Sequence, residues 1–427
     1  MKLTRRTIMA AAALLASGLS ASAEEVTLDV LYCFPDFAKF HEPLAQEFMK
    51  QHPDIKIQFR APAASYDEGH QTMLRSAMTN QLPDIYYSGY HLLPELIQTL
   101  GQRDQAVPLN DLLAAEGPEF RKANYFDNLI DLGSVDGKLY GLAVNASNPI
   151  VYYNADLVRK AGVDPADFPR TFDGIIALAG KINDPANGIN GMAYDVHGWP
   201  DGWLFEAALT QAGGKLLTDD RHDIAFDGPT GLKALQTFRR FVTEGGMQLI
   251  DYMQSRQQFG AGKIGIYFAS PGNLTQVTSL VAGKFDFRTM KFPIEDEAKG
   301  SLPTGGNAIL TLAKEDAKKK AAWEFMKFMT SPAAQKVIVE MTGYLPTNAG
   351  APGPDYLGPF YDKNPNYRTP VEQVQRAGPW GAYPGGNGVR IWRTQRDIVA
   401  EVMRGDVTPE AGLAEMAKAT REMLKTP

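Results

Sequence analysis

The spacing of hydrophobic residues near the start of the chain predicts a strand, a helix and a second strand. Hydrophobic and polar residues alternate over 26–32, as they do in a half-buried strand. Hydrophobic residues then recur every three or four positions over 37–48, which indicates an amphipathic helix. We expect this helix to end before Pro53, and alternation resumes over 55–59. This order of elements favours a parallel α/β layer.

Similar patterns recur along the rest of the chain. Strand patterns cover 83–87, 150–154 and 264–268, and helical patterns between and after them cover 232–243 and 321–329. The sequence therefore predicts an α/β protein throughout.

A further helix is predicted at the end of the chain. Thr408 is a suitable N-cap and Pro409 suits the first turn, while Leu413 and Met416 fall on one face. Two stretches rich in glycine and proline, 350–361 and 378–388, are typical of long loops, and we find no internal repeat.

Residues 1–23 have the pattern of a signal peptide. Lys2, Arg5 and Arg6 are followed by an apolar stretch at 8–19, and small residues at 21–23 offer a cleavage site. The arginine pair also resembles a twin-arginine export signal, so either export route is open. We expect the mature chain to be exported to the periplasm.

Composition excludes several classes of protein. With 427 residues, of which 44% are hydrophobic, the chain can bury a large core, and intrinsic disorder is excluded. A net charge of −6 argues against nucleic-acid binding. Cys33, the single cysteine, forms no internal disulfide and no thiolate zinc site, and we expect it to be a buried small hydrophobe.

Motif searches indicate neither catalysis nor a cofactor. The chain has no His-Glu-x-x-His, Gly-x-Ser-x-Gly, phosphate-loop lysine or EF-hand pattern, and its six histidines are scattered. Residues 260–265 match Gly-x-Gly-x-x-Gly, but a helical pattern precedes them and a strand pattern follows. That order is the reverse of a dinucleotide fold, so we interpret the glycines as a helix-to-strand turn. We expect no catalytic residue, no metal and no cofactor.

Aromatic residues and arginines cluster in predicted loops. Flat aromatic faces suit the carbon faces of sugars, and guanidinium groups suit phosphate, sulfonate or carboxylate. For any single aromatic, burial in the core is an equally good interpretation. The clusters comprise Tyr86, Tyr87 and Tyr90; Trp199 and Trp203; and Trp380, Tyr383 and Trp392 with Arg390, Arg393 and Arg396.

Three segments resemble a known family. Residues 145–157, which read Asn-Ala-Ser-Asn-Pro-Ile-Val-Tyr-Tyr-Asn-Ala-Asp-Leu, resemble the domain-crossing segment of family 1 extracellular solute-binding proteins. Residues 342–347 (Thr-Gly-Tyr-Leu-Pro-Thr) and 360–365 (Phe-Tyr-Asp-Lys-Asn-Pro) look like signatures of the branch that binds glycerol-3-phosphate. The resemblance implies a receptor of an ABC importer with a maltose-binding-protein-like fold. Each of its two α/β lobes would be a sheet flanked by helices, with the ligand cleft between them.

From this resemblance we predict the lobes and the partners. The N-terminal lobe would comprise 24–146 and 271–313, and the C-terminal lobe 147–270 and 314–427. The chain would cross between lobes near Ala146, Ser270 and Lys314. The expected partners are a small-molecule ligand and the permease subunits of the transporter, with no nucleic acid, and the expected state is a monomer.

The resemblance also implies a set of ligand-binding residues. Arg396 would face an anionic group, Ser147 and Ser270 would donate hydrogen bonds, and Gly306 would let backbone N–H groups approach the ligand. Tyr66, Tyr344 and Trp199 would form the pocket walls. Tyr90 falls where the branch has a glutamate that can bind the ligand's hydroxyls, so this chain lacks a charged acceptor at that position.

The sequence is compatible with three functions. The first is a receptor for a phosphorylated polyol such as glycerol-3-phosphate, a glycerophosphodiester or a related anionic glycoside. The second is a receptor for a neutral sugar or oligosaccharide. The third is an exported glycoside hydrolase, for which Asp195 with Asp201 or Glu206 would have to supply a pair of carboxylates.

Overall fold

A connection of two residues, 148–149, carries the chain from one β-sheet directly into another. The computed structural model describes residues 25–198 and 201–425. The predicted signal peptide, residues 1–23, lies outside the described residues.

The strands divide between two main sheets and two short pairs. In chain order they are β1 (Val26–Leu31), β2 (Ile55–Phe59), β3 (Ile85–Gly89), β4 (Ser134–Val135), β5 (Lys138–Leu139), β6 (Leu142–Ser147), β7 (Ile150–Asn154), β8 (Asn190–Tyr194), β9 (Ile264–Ala269), β10 (Phe287–Lys291), β11 (Leu302–Pro303), β12 (Gly305–Thr311) and β13 (Ala377–Gly378).

The α-helices follow and separate these strands, and short 3-10 turns connect many of them. In chain order they are α1 (Ala38–Gln51), α2 (Tyr66–Thr79), α3 (Leu93–Gly101), α4 (Asn110–Ala115), α5 (Pro118–Asn124), α6 (Asp127–Ile130), α7 (Ala155–Lys160), α8 (Phe172–Ile182), α9 (Trp203–Thr210), α10 (Pro229–Thr243), α11 (Tyr252–Gly260), α12 (Leu274–Val281), α13 (Asp316–Met329), α14 (Pro332–Thr342), α15 (Gly358–Lys363), α16 (Thr369–Glu372), α17 (Gly388–Arg404) and α18 (Pro409–Leu424).

The first sheet has the strand order β2-β1-β3-β12-β6. Its first three strands are parallel, and β12 runs antiparallel to both β3 and β6. The carboxyl ends of β1, β2, β3 and β6 therefore meet the amino end of β12 at one edge. Crevices at the carboxyl ends of such strands are where open α/β sheets bind ligands.

The second sheet has the order β10-β7-β9-β8. Strand β7 runs antiparallel to both neighbours, whereas β8 and β9 are parallel. All six residues of β9 are buried, as expected for a strand covered by helices on both faces. The two sheets with their helices form the two lobes.

Each sheet has a hydrophobic core on both faces. Helices α1, α13 and α14 cover one face of the first sheet, and α2 and α3 cover the other. The second sheet packs against α8, α9, α10, α17 and α18 on one face and against α11 and α12 on the other. Among the helices described, none has both the length and the apolar character that a bilayer crossing requires.

Most of the predicted elements are confirmed. The strand and helix patterns of the first 59 residues coincide with β1, α1 and β2. Helix α18 begins as expected, because the Thr408 hydroxyl accepts a hydrogen bond from the Ala411 N–H at 3.2 Å. The glycines of 260–265 join α11 to β9, so the helix-to-strand turn is also confirmed. In the 350–361 stretch, however, a helical turn, α15, begins at Gly358.

The prediction for Cys33 is confirmed as well. Its side chain is buried beside Tyr86, and burial raises the pKa of the thiol to about 12. A thiol with so high a pKa stays protonated at neutral pH, so it is a poor nucleophile.

Two of the predicted lobe boundaries need correction. Strand β10 pairs with β7 in the second sheet, so 271–291 belongs to the C-terminal lobe and the return crossing comes at 292–304 rather than near Ser270. Helices α13 and α14 pack against α1 and β1, so the next crossing follows α14 rather than Lys314. Strand pairing decided the first assignment and buried apolar faces decided the second. Hydrophobic periodicity alone shows neither which strand is a partner nor which sheet a helix covers.

Candidate ligand-binding site

The crossover between the sheets is held by a buried asparagine. The Asn148 side-chain amide donates to the carbonyl oxygens of Leu302 and Pro303, both at 3.2 Å, and to Thr304 Oγ1 at 3.1 Å. The first crossing segment, 148–149, is therefore hydrogen-bonded to the second, 292–304. This connection places the edge of the first sheet opposite the second lobe.

Two tyrosines reach that edge from the loops after β2 and β3. Tyr66 is the first residue of α2, whose N-terminus is capped by Ser65 Oγ accepting from the Glu68 N–H at 3.1 Å. The Tyr66 hydroxyl donates to Asn307 Oδ1 at 3.3 Å. The Tyr90 hydroxyl donates to the Asn145 carbonyl oxygen at 2.9 Å.

Asparagines on β6 and β12 complete this network. Asn145 Oδ1 accepts a hydrogen bond from the Asn307 N–H at 2.9 Å, where the register of the two strands shifts. Asn145 Nδ2 is buried and makes no hydrogen bond of ordinary geometry within the described residues. Tyr66, Asn307, Asn145 and Tyr90 form what we call the tyrosine–asparagine network.

Tyr344 lies beside this network. Burial raises the pKa of Tyr344, and the nearby Asn145 side chain opposes the rise. Burial also raises the pKa of Tyr66 and Tyr90 well above the ordinary value, and the Tyr344 phenol adds to both increases. The three hydroxyls are therefore close together and remain neutral, so they can donate and accept hydrogen bonds.

Ser147 and Gly306 lie in the adjacent wall. Ser147 is buried and pairs with Gly305, where an added Cβ would lie 3.0 Å from the serine Oγ and 3.4 Å from Trp203 Nε1. At Gly306 the φ angle is +125°, and a Cβ would lie 2.0 Å from the Asn145 carbonyl oxygen. Glycine is needed here for close packing of β12 on β6, in addition to the predicted approach to a ligand.

Ser270 joins the group from the second sheet. Its Oγ accepts a hydrogen bond from the Gly272 N–H at 3.1 Å, and its carbonyl oxygen accepts one from the Tyr152 hydroxyl at 2.8 Å. A Cβ on Gly272 would lie 2.6 Å from the Tyr344 ring, so this turn packs directly on Tyr344. The structure thus brings together Tyr66, Tyr90, Ser147, Ser270, Gly306 and Tyr344.

The structure places Arg396 in an ion pair on its own helix. Its guanidinium donates to Asp397 Oδ1 at 3.1 and 2.8 Å, and a third of the arginine side chain is exposed. The described contacts do not connect Arg396 with the tyrosine–asparagine network, so its role toward a ligand stays a prediction. Arg393, one turn earlier on α17, reaches Asp67 on α2 in the other lobe at 3.2 Å.

Trp199, the remaining predicted residue, lies outside the described residues. The tryptophan that the structure does place beside Ser147 is Trp203, whose Nε1 donates to the Pro303 carbonyl oxygen at 3.0 Å. Sequence reasoning grouped Trp203 with Trp199 but did not select it. It also missed Asn145 and Asn307. Asn145 opens the 145–157 segment that carries the family resemblance, and each asparagine lies within two residues of Ser147 or Gly306.

Of the three carboxyl groups considered for hydrolysis, two are hydrogen-bonded away from the tyrosine–asparagine network, and the third, Asp201, lies near it. Asp195 accepts a hydrogen bond from Ser255 Oγ at 2.7 Å, and burial raises its pKa to about 7. Glu206 accepts from the Gly381 N–H at 2.9 and 3.1 Å, and burial raises its pKa to about 8. Neither contacts the tyrosine–asparagine network, and the described residues contain no cluster of three metal-binding side chains.

Comparisons with known proteins agree with this architecture. The curated sn-glycerol-3-phosphate-binding periplasmic protein UgpB of Agrobacterium fabrum is 24% identical over 374 residues, covering 84% of this chain and 82% of its own length. The structure of UgpB from Mycobacterium tuberculosis in complex with glycerophosphocholine matches with a TM-score of 0.78 at 20% identity, covering 93% of this chain and 98% of that one.

A sugar-binding protein has an equally similar fold. MalE from Xanthomonas citri matches with a TM-score of 0.78 at 21% identity, over 93% of this chain and 97% of that one. The fold is thus that of the two-lobed, maltose-binding-protein-like receptors. The model of the bacterial extracellular solute-binding protein family matches residues 34–336. The chain belongs to the bacterial extracellular solute-binding protein family.

Proposed function

We propose that this chain is the periplasmic receptor of an ABC importer and that it binds a small polyhydroxylated solute between its lobes. The observation that carries the proposal is the tyrosine–asparagine network at the lobe boundary. Its hydroxyl and amide groups are neutral, and a neutral array of donors and acceptors matches the hydroxyls of a polyol or sugar. Residues 1–23 would direct export, and the permease subunits would receive the solute.

For the chemical class of the solute, we propose a phosphorylated polyol, such as glycerol-3-phosphate or a glycerophosphodiester. The curated relative from Agrobacterium fabrum is named for sn-glycerol-3-phosphate, and the Mycobacterium tuberculosis structure holds glycerophosphocholine. Arg396 pairs with Asp397, whose side chain is 67% exposed, so this ion pair is weak. A buried phosphate could therefore replace Asp397 as the partner of the guanidinium.

A specific observation favours a neutral sugar as the second candidate. Burial is the main cause of the raised pKa of Tyr66, and the Asp201 carboxylate adds a small part, so this carboxylate lies near the network. Arg393 of α17 reaches the first lobe, where its positive charge is neutralised by the Asp67 carboxylate. A neutral solute needs no unpaired cation, and sugar hydroxyls could donate to the Asp201 carboxylate.

The experiment is a thermal-shift panel followed by calorimetric titration. The panel contains sn-glycerol-3-phosphate, glycerophosphocholine, glycerol, maltose and maltotetraose. A receptor for a phosphorylated polyol is stabilised by one of the first two compounds and not by glycerol, and it returns the compound unchanged. Stabilisation by the maltodextrins alone would establish the second candidate. Conversion of any compound would contradict a receptor function.

A further inference from the structure

A histidine of the first lobe lies against tryptophans that pack in the core of the second. His91 follows β3, and its ring stacks on that of Trp380 with centroids 3.7 Å apart and planes 30° apart. The Trp392 ring, on α17, lies 5.1 Å from the histidine at 64°. Both tryptophans belong to the core that covers the second sheet. We call this contact the histidine junction.

His91 has lost nearly all contact with water at this junction. Its side chain is 4% exposed, and its Nδ1 has no hydrogen-bond partner among the described residues. Tyr66 of the tyrosine–asparagine network lies on its other side, with ring centroids 5.6 Å apart. The junction is therefore continuous with the candidate site, and any separation of the lobes here would expose the imidazole.

The groups that surround His91 would do little to stabilise the positive charge of a protonated imidazole. On α2 the titratable groups on this side are Tyr66, whose ring centroid is 5.6 Å from that of His91, and His70, which lies 3.4 Å from Glu95 of α3. Asp67 follows Tyr66 on the same helix. The α17 side of the junction contributes Arg393, and the 377–388 loop contributes no charged side chain. Behind Trp380, the Glu206 carboxyl of α9 accepts a hydrogen bond from the Gly381 N–H. Burial, and to a smaller extent His70, lower the pKa of His91 to about 3.

From this contact we infer that opening of the lobes is coupled to proton uptake by His91. In the closed form the stacked ring stays neutral, whereas in an open form it regains water. A solvated imidazole has a pKa of about 6.5. Acid therefore favours the open form, by roughly 30-fold at pH 5 if only this group titrates. The inference concerns regulation of the proposed receptor and rests on its two-lobe closure.

The test follows the distance between the lobes in the ligand-free protein. Fluorophores are placed on Met78→Cys of α2 and Glu415→Cys of α18, which are exposed positions, whereas Cys33 is buried and stays unlabelled. Energy transfer is recorded between pH 7.5 and pH 5. We expect transfer to fall as the pH decreases through about 6.5, and to stay constant in His91→Phe, which retains a ring that cannot be protonated.

His222→Gln, which removes an exposed histidine, is the matched control and should behave like the parent chain. If His91→Phe does not fold, His91→Gln provides the same comparison. Equal pH dependence with and without His91, or no pH dependence in the parent, would overturn the inference. Because the experiment uses no ligand, a chain that binds nothing in the solute panel still gives a decisive answer.

Discussion

The Asp67 carboxylate of α2 lies 3.2 Å from the Arg393 guanidinium of α17, so an ion pair joins the two lobes. Both side chains are well exposed, at 38% and 60%. Exposed pairs of this kind contribute little to stability because water and salt screen them. This ion pair is therefore suited to adjusting lobe closure and not to holding the fold together.

The first prediction concerns the strength of this ion pair. A double-mutant cycle with Asp67→Asn and Arg393→Gln should give a coupling free energy of about 0.2–1 kcal/mol. The measurement is urea unfolding of the four proteins, repeated at high salt, where the coupling should disappear. A coupling that exceeds this range and survives high salt would mean that the pair is shielded from solvent.

The second prediction concerns Gly306. Alanine there would combine a φ angle of +125° with a contact of 2.0 Å to the Asn145 carbonyl oxygen, so Gly306→Ala should lower the free energy of unfolding by about 2–3 kcal/mol. Gly385→Ala is the control, since Gly385 also has a positive φ, +81°, but nothing within 4 Å. Gly385→Ala should lower the free energy of unfolding by about 1 kcal/mol, because only the left-handed backbone conformation is unfavourable for alanine there. Equal losses would show that the close strand contact is unimportant.

The third prediction concerns the dependence of stability on pH. Glu206 has a pKa of about 8 in the folded chain, against about 4.3 when unfolded, so the folded state retains a proton that the unfolded state loses. Stability should therefore fall as pH rises from about 4.5 to 8, by a few kcal/mol. Glu206→Gln keeps an acceptor for the Gly381 N–H and should make the fall less steep, while buried Asp195, whose pKa is about 7, keeps its own contribution. Thermal unfolding across this pH range measures both proteins. If Glu206→Gln and the parent chain lose stability equally, the raised pKa of Glu206 is contradicted.

Much of the fold could be predicted from the sequence because amphipathic periodicity is a local property. The alternation over 26–32 and the capping residue Thr408 each depend on nearby positions, and both predictions were confirmed. The lobe of α13 could not be predicted, because its apolar face is compatible with either sheet until the tertiary contacts are known. The same reasoning applies to β10, which pairs with a strand more than 130 residues earlier.

The residues of the candidate site could be selected from the sequence only in part, for a similar reason. The resemblance to a family supplied Tyr66, Ser147 and Tyr344, whose signatures lie in short segments. It did not supply Asn307, which is recognised only by its hydrogen bond to a tyrosine 241 residues away. Nor could it distinguish Arg393 from Arg396, since only the packing of α17 decides which arginine meets Asp67.

The fourth prediction concerns Arg396 and separates the two ligand classes. If the solute is anionic, Arg396→Ala should weaken binding by about 2–5 kcal/mol, which is roughly 30-fold to several thousand-fold. Arg396→Lys should restore only part of this loss, because an ammonium group lacks the planar pair of donors.

With a neutral sugar, the loss in Arg396→Ala should be about 1 kcal/mol, and Trp199→Ala should cost more. Calorimetric titration at fixed salt measures all three variants against the parent. Near-unchanged affinity for sn-glycerol-3-phosphate in Arg396→Ala would remove the support for an anion site at this arginine.

The fifth prediction concerns the tyrosine–asparagine network. Tyr66→Phe removes the hydroxyl that donates to Asn307 but keeps the ring, so binding should weaken by about 0.5–1.5 kcal/mol while the fold is retained. Tyr356→Phe, in the loop before α15, is the matched control and should bind like the parent. Calorimetry with the compound that binds most tightly in the panel provides the comparison. Equal affinities would place the solute away from Tyr66.

The central claim is that a polyhydroxylated solute occupies the cleft between the lobes. Native mass spectrometry of the purified protein, after exposure to a small-molecule extract of bacterial cells, tests it most directly. We predict one bound molecule per chain, released intact on denaturation and carrying several hydroxyl groups, with or without a phosphoryl group. A bound peptide, lipid or other solute without an array of hydroxyls would contradict the account.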